Sequence, residues 1–335
     1  RIDSLREILE RHGAAAVTLR TRRDFAWLTV GGLNHVVVGS ETGIAPIVVS
    51  RDHAVVLAPT NEFARIVDEE IAGLPLRCVS VPWWDDAAFD RETQALANGQ
   101  TVLTAADLGD ELQALRSVLV PLEHQRMTAL AADVDAAMRA ALGELAAGNT
   151  EDALAGKVGA RLAERGARLP VILVAADDRI GRYRHPIPTG TPIRGRVMVV
   201  VVAERWGLHV AATQFRELAP RSAAVAERAA AISDVLARMR EATAPGNSFG
   251  DVFAAARTAY EEHGMPDEWT LHHQGGSIGY APRERIAKPG DASPIRPGMA
   301  FAWNPSAVGY KAEETLYLDP DGGQRVLTTT VGQAG

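Results

Sequence analysis

His272-His273-Gln274-Gly275-Gly276-Ser277-Ile278-Gly279 sets two imidazoles directly ahead of a glycine-rich run. By itself the run offers backbone N–H groups that could cradle a phosphate. It lacks the Lys-Ser/Thr pair of a P-loop and opens no obvious helix, so a plain loop is expected. Upstream, Pro245-Gly246-Asn247-Ser248 breaks the chain and caps a helix over 249–263, itself preceded by a helix over 221–243. Farther back, strands over 196–203 and 208–215 flank Glu204-Arg205-Trp206-Gly207 and read as a hairpin. A strand over 171–175 and a helix that starts at Gly148-Asn149-Thr150-Glu151 precede it. Before that comes a long helix over 122–145, whose Met127, Leu130, Ala131, Val134 and Met138 fall at helical spacing. Downstream lie strands over 299–303 and 311–318. Helix–helix–strand–hairpin followed by helix–helix–strands suggests a duplicated α+β unit.

The front of the chain is a smaller α/β domain, residues 1–118, ahead of the domain 119–335. Ser4-Leu5-Arg6-Glu7 has the pattern of a capping box. Strands over 14–19, 45–49, 54–57, 76–81 and 102–105 alternate with helices over 62–72 and 85–97. In Trp83-Trp84 one ring is expected in the core and the other at a dimer contact.

Composition narrows the function. The 335 residues carry 35 Lys+Arg and 42 Asp+Glu, a net charge of −7, with 47% hydrophobic and 23% charged residues. That balance excludes disordered, collagen-like and coiled-coil classes and a strongly basic nucleic-acid binder. The single cysteine, Cys78, excludes an intramolecular disulfide and any multi-cysteine metal site. The longest apolar run, 197–203, is far short of the roughly 20 residues that span a bilayer. With no leader pattern at Arg1-Ile2-Asp3-Ser4, a cytoplasmic protein is expected. Nine histidines and 42 carboxylates leave a His/Asp/Glu metal site numerically possible.

In order and spacing these segments resemble the M24 superfamily of creatinase, aminopeptidase P, prolidase and methionine aminopeptidase. Asp24-Phe25-Ala26-Trp27-Leu28-Thr29-Val30-Gly31 approximates the creatinase-type Asn-Phe-x-Tyr-Leu-Thr-Gly. Thr150-Glu151, His185 ahead of Gly195, Pro245-Gly246, His272-His273-Gln274-Gly275, Pro297-Gly298-Met299 and Lys311-Ala312-Glu313-Glu314-Thr315 follow as the family's motifs do. The resemblance implies an α+β pita-bread C-terminal domain behind a smaller α/β creatinase-type N-terminal domain, and a homodimer.

It also implies where metal would sit. Metal-dependent members hold two divalent ions with two Asp, one His and two Glu. Here those positions read Val200 (or Val201), Ala211, Gly276 and Asn304, and only Glu313 keeps its acid. One carboxylate is too little charge for two cations, so no cofactor is expected. His209, two residues before Ala211 and on the same strand face, is the one candidate to rebuild a single-metal site with Glu313 and His185. Creatinase works without metal, which by resemblance makes His185 the acid/base and Glu313 its catalytic partner. His209, His272, His273, Arg283 and Asn304 are the candidate substrate-binding residues. Each also has a plainer reading, as a loop histidine, a structural ion pair or a surface arginine.

Three functions follow from the resemblance: a metal-independent hydrolase or lyase acting on a small polar C–N-containing substrate; a non-catalytic pseudo-peptidase binding a small molecule, peptide or protein; and an Xaa-Pro aminopeptidase-like metallopeptidase with an altered site. The expected ligand is a small molecule or short peptide.

Overall fold

Leu5, Ile8 and Leu9 recur at helical spacing, and α1 (Ile2–Arg11) buries all three. The Ser4 capping box does not form. Arg1 O already accepts from Leu5 N–H at 2.9 Å, so the first turn closes earlier and Ser4 lies inside it. The structure is a computed structural model that describes residues 1–85 and 87–329. Two units emerge, Arg1–Arg116 and Ser117–Gly335.

The first unit continues with β1 (Ala16–Thr21), α2 (Arg22–Thr29), β2 (Thr42–Ser50), β3 (Ala54–Pro59), β4 (Arg77–Val81), α3 (Ala88–Leu96), β5 (Val102–Thr104) and α4 (Ala105–Ser117). One sheet orders the strands β4-β3-β2-β1-β5. Its core gathers Ala16, Val48, Val55, Leu57 and Val81. The helix expected over 85–97 is the shorter α3, and Asp86 lies outside the described residues. Both tryptophans of Trp83-Trp84 are exposed, at 64% and 66%, so neither ring joins the core as expected of one. They sit edge to face, 5.9 Å apart, on the turn that follows β4.

The second unit opens with α5 (Pro121–Gly143) and α6 (Glu151–Ala163), which lead into β6 (Arg168–Ala176), β7 (Arg196–Arg205) and β8 (Leu208–Glu217). Seven consecutive apolar residues in β7, all buried, suit a strand covered on both faces. The turn to β8 is Trp206-Gly207, with φ of 56° and 75°, the left-handed pair of a type I′ hairpin turn. The helix pair then recurs as α7 (Ala223–Ala242) and α8 (Phe249–Glu262), followed by β9 (Gly275–Ile278), β10 (Arg285–Ile286), β11 (Ala300–Trp303), β12 (Ser306–Ala307), β13 (Tyr310–Lys311), β14 (Glu314–Leu318) and β15 (Gln324–Val326). Five of these strands form an antiparallel sheet in the order β10-β9-β11-β14-β15.

The glycine-rich run is therefore a strand rather than a loop. A β-carbon at Gly275 would meet the Ala302 carbonyl oxygen at 2.1 Å, and one at Gly276 the Arg285 carbonyl oxygen at 1.8 Å. Neighbouring backbone comes too close for any side chain there. Trp303 and Tyr310 belong to the core with Val200, Phe215, Ile232, Met239, Phe253 and Phe301, and Trp303 Nε1 donates to Thr243 Oγ1 at 2.9 Å. Among the described residues no helix is long and apolar enough to cross a membrane.

Candidate active site

Strand alternation sends Glu313 and Glu314 to opposite faces. Glu314 takes a bidentate pair from Arg240 on α7, at 2.8 and 2.7 Å. Glu313 turns the other way, toward β8, and is buried. Arg283 Nη2 donates to its Oε1 at 2.9 Å; Lys311 Nζ lies 3.1 Å from Oε2, and Thr213 Oγ1 donates to the same oxygen at 2.8 Å. Asn304 Nδ2 approaches Oε1 at 3.5 Å. Burial alone would raise the Glu313 pKa, but Lys311 and Arg283, helped by the Thr213 hydroxyl, outweigh it and hold it at about 2. Burial pushes both cations' pKa values down, against the pull of Glu313.

The imidazoles are carried by two segments tied together from below. Glu151, buried at the start of α6, accepts from Ala176 N–H (2.8 Å), Arg179 Nε (2.9 Å) and Thr189 N–H (3.0 Å), fixing the segment on which His185 sits. Arg184 donates to Ser306 Oγ at 3.2 Å and pairs with Glu268, in the turn before His272. The Tyr260 hydroxyl lies 2.9 Å from Gln274 Oε1 and accepts from Ser306 N–H at 2.8 Å, while Gln274 Nε2 donates to His272 O at 2.5 Å.

As a result His272 Nε2 stands 3.0 Å from His185 Nε2, and the His273 ring stacks on His272 with centroids 4.4 Å apart. One nitrogen from each of the three falls within 4.8 Å of the others. Burial, then Lys311 and the neighbouring imidazoles, lowers His272 to about 2. Burial, then Arg283 and Lys311, lowers His273 to about 4. His185 is exposed, yet its pKa is lowered too, by partial desolvation and Lys311. All three imidazoles are thus neutral near pH 7.

Of the residues singled out by sequence, His185, His272, His273, Arg283, Asn304 and Glu313 come together. His209 does not. Its Nδ1 is 3.1 Å from the Gly279 carbonyl oxygen, which also accepts the His209 backbone N–H at 2.8 Å, so it is buried at the far end of β8. Val200 packs in the apolar core. Ala211 is held through its backbone by Thr315 Oγ1, at 2.8 and 2.9 Å. The hairpin residue that touches Glu313 is Thr213, opposite Val200 and one step along the Ala211 face. Thr213 and the Tyr260–Gln274 brace were missed. Period-two alternation from Ala211 was the available signal for Thr213; none existed for the brace. Lys311, read in the sequence as the first residue of the Lys311-Ala312-Glu313-Glu314-Thr315 motif, is a buried wall of the site.

The model of metallopeptidase family M24 matches residues 125–330. Among solved structures, a prolidase from Pyrococcus horikoshii is similar at 17% identity and TM-score 0.80, covering 98% of each chain. An X-Pro aminopeptidase from Thermotoga maritima is similar at 15% identity and TM-score 0.76, over 98% of this chain and 97% of that one. The N-terminal domain of the FACT complex subunit SPT16 from chickpea is similar at 13% identity and TM-score 0.71, over 96% and 92%. No curated protein matches in sequence. These likenesses cover both units, the second with the pita-bread fold, and because the matched segment is more than half of the chain, the chain belongs to metallopeptidase family M24.

Proposed function

We propose that this M24 protein works without the family's two-metal centre, as a metal-independent hydrolase of a small polar compound containing a C–N bond. The observation that carries the reading is the engagement of Glu313. Both of its oxygens already serve Arg283, Lys311 and Thr213, so the one acid remaining of the family's set is committed to protein cations. The other positions offer no replacement donors: Val200 and Ala211 are apolar, and the backbone against Gly276 excludes a side chain. The donor set does not fit two divalent ions, whose mutual repulsion needs several carboxylates.

In this reading His185, the exposed and neutral imidazole, takes a proton from the attacking water as the C–O bond forms. It returns that proton to the departing nitrogen as the C–N bond breaks. Glu313, held ionised, positions Lys311 and Arg283 rather than carrying protons. His272, His273, Asn304 and Arg283 contact the substrate.

A panel of Xaa-Pro dipeptides and small amides, assayed with a chelator present, tests the proposal alongside metal analysis of protein purified without one. Turnover should survive chelation and fall by about 10²–10⁴-fold in His185→Ala. Metal near one ion per chain, with turnover that requires it, would overturn the proposal. Catalytic inertness, with His185→Ala leaving ligand binding unchanged, would favour the non-catalytic role instead. The likeness to a domain of a complex subunit keeps that role in view.

One observation favours a second reading, a single transition-metal ion on His185, His272 and His273, whose nitrogens lie within 4.8 Å. Against it, Lys311 and Arg283 place positive charge beside the cluster.

A further inference from the structure

β7 begins at Arg196 and β8 ends at Glu217, and the ladder sets the two directly opposite each other. Beyond Glu217 the chain turns through Pro220 into α7, whose N-cap is Ser222. A cavity of about 510 Å³ lies at this corner of the second unit, and none of the described residues lining it belongs to the candidate active site.

The charges along its wall are unevenly matched. Arg196 Nε donates to Glu217 Oε1 at 2.8 Å, and Arg221 Nε donates to the same oxygen at 3.1 Å. Arg196 Nη1 donates to the Gly309 carbonyl oxygen at 2.9 Å, whereas Nη2 is buried with no hydrogen-bond partner among the described residues. Two guanidiniums thus lean on one carboxylate oxygen. Burial lowers the Arg196 pKa; Glu217 pulls it back, and Arg221 lowers it further. Asp177 spends its charge inside its own turn, accepting from the backbone N–H groups of Arg194, Gly195 and Arg196 at 3.0, 2.8 and 2.9 Å. Asp178 and Arg182, both exposed, oppose each other in sign. The start of α7 adds to the imbalance. Its first turn holds no acidic residue, and the Ser222 hydroxyl caps only the Val225 N–H, at 3.3 Å. The positive end of this 20-residue helix therefore has no counter-charge from its own side chains.

We infer that this corner binds a phosphate monoester, its phosphoryl group against Arg221 and the N-terminus of α7, with the charge of Arg196 behind them. A phosphoryl group carries roughly two negative charges at pH 7 and three acceptor oxygens. Those oxygens suit donors arriving from a guanidinium fork on one side and a helix end on the other. A carboxylate offers two oxygens in one plane. The cavity is far larger than a phosphate group, and Ile180, Pro220 and Val225 give it apolar wall for an organic remainder. This is a second site, and it does not rest on the catalytic reading above.

Calorimetric titration of the full chain at pH 7 tests this with three probes: phenyl phosphate, phenylacetate and inorganic phosphate. Phenyl phosphate should bind more tightly than either of the others, by about ten-fold or more. Arg221→Gln should weaken it by about ten-fold or more, and Arg221→Lys should recover part of the loss. Ala224→Glu places an acid in the first turn of α7 at an exposed position. It should weaken phenyl phosphate by about ten-fold as well, while the melting temperature stays level or rises, because an acid there suits the helix dipole. A merely structural role for this turn would not separate binding from stability in that way. Phenylacetate binding as tightly as phenyl phosphate overturns the inference, as does no measurable binding of any probe. Inorganic phosphate binding as tightly as phenyl phosphate would mean an adventitious ion only, and overturns it too. Affinity lost in Arg283→Gln but kept in Arg221→Gln would move the phosphate to the candidate active site, with the same result. If Arg221→Gln fails to fold, by its circular dichroism, Ala224→Glu and the three wild-type titrations still decide.

Discussion

Replacing Glu313 by glutamine leaves Lys311 and Arg283 buried with no counter-charge, whereas replacing Lys311 by methionine leaves one arginine facing one carboxylate. The two changes remove members of the same cluster and should differ sharply. Glu313→Gln is expected to cost about 3–5 kcal/mol in urea unfolding, the range for breaking a buried ion pair from one side. Lys311→Met should cost about 1 kcal/mol or less, because it discards the surplus charge and keeps most of the stem's volume. Equal costs would mean that the cluster is balanced after all. Much of this site was legible in the sequence: Glu313, His185 and the His272-His273 pair sit in motifs read along the chain. Thr213 was not, because its role depends on how β8 faces the segment that carries Glu313, a distance of 100 residues along the chain. His209 was misplaced for a related reason. Alternation gives its face but not how far along the strand the site lies.

At the scale of single elements, the hairpin and the glycine strand contrast. The β7–β8 turn was readable because Trp206-Gly207 stands between two apolar runs, and a glycine there suits the left-handed pair of a type I′ turn. Gly207→Ala, which keeps the positive φ but adds a β-carbon, should cost about 1 kcal/mol or more by thermal unfolding. β9 was not readable, because glycine has low strand propensity and its pairing is imposed by β10 and β11 on either side. Gly276→Ala forces a β-carbon to 1.8 Å from the Arg285 carbonyl oxygen, so β10 has to move. The expected loss exceeds about 3 kcal/mol, in the class of strained or overpacked sites. A melting temperature unchanged from wild type would show that β10 yields freely.

Across the whole molecule, the buried neutral histidines make stability depend on pH. His272 and His273 titrate near their ordinary 6.5 when unfolded but at about 2 and about 4 when folded. Below pH 6.5 the unfolded chain therefore binds protons that the folded chain refuses, and stability drops as pH falls. The slope approaches about 1.4 kcal/mol per pH unit for each such histidine. Glu313 adds its own loss lower down, between its ordinary 4.5 and about 2, as its ion pairs are protonated away. Urea midpoints measured from pH 7 to pH 4 should decline, and the paired substitution His272→Gln with His273→Gln should flatten that decline. An unaltered slope would mean that other groups control it. The architecture at this scale was the most legible part. Helix pairs leading into strands repeat along the second unit, and local pattern is enough to show a repeat. Which side chains meet at its centre is a non-local fact, and pattern carries it only where a motif does.

The closeness of Arg285 to Gly276 also bears on what this sequence can become. An imidazole cannot be introduced at position 276 by one codon change, since the first added carbon collides with a neighbouring main chain rather than with a side chain that could be trimmed. Any side chain at that position requires the β10 backbone to move with it. Placing a histidine there is a problem of the main chain, not of side-chain packing. A laboratory attempt to do so would have to redesign the β9–β10 segment as one block.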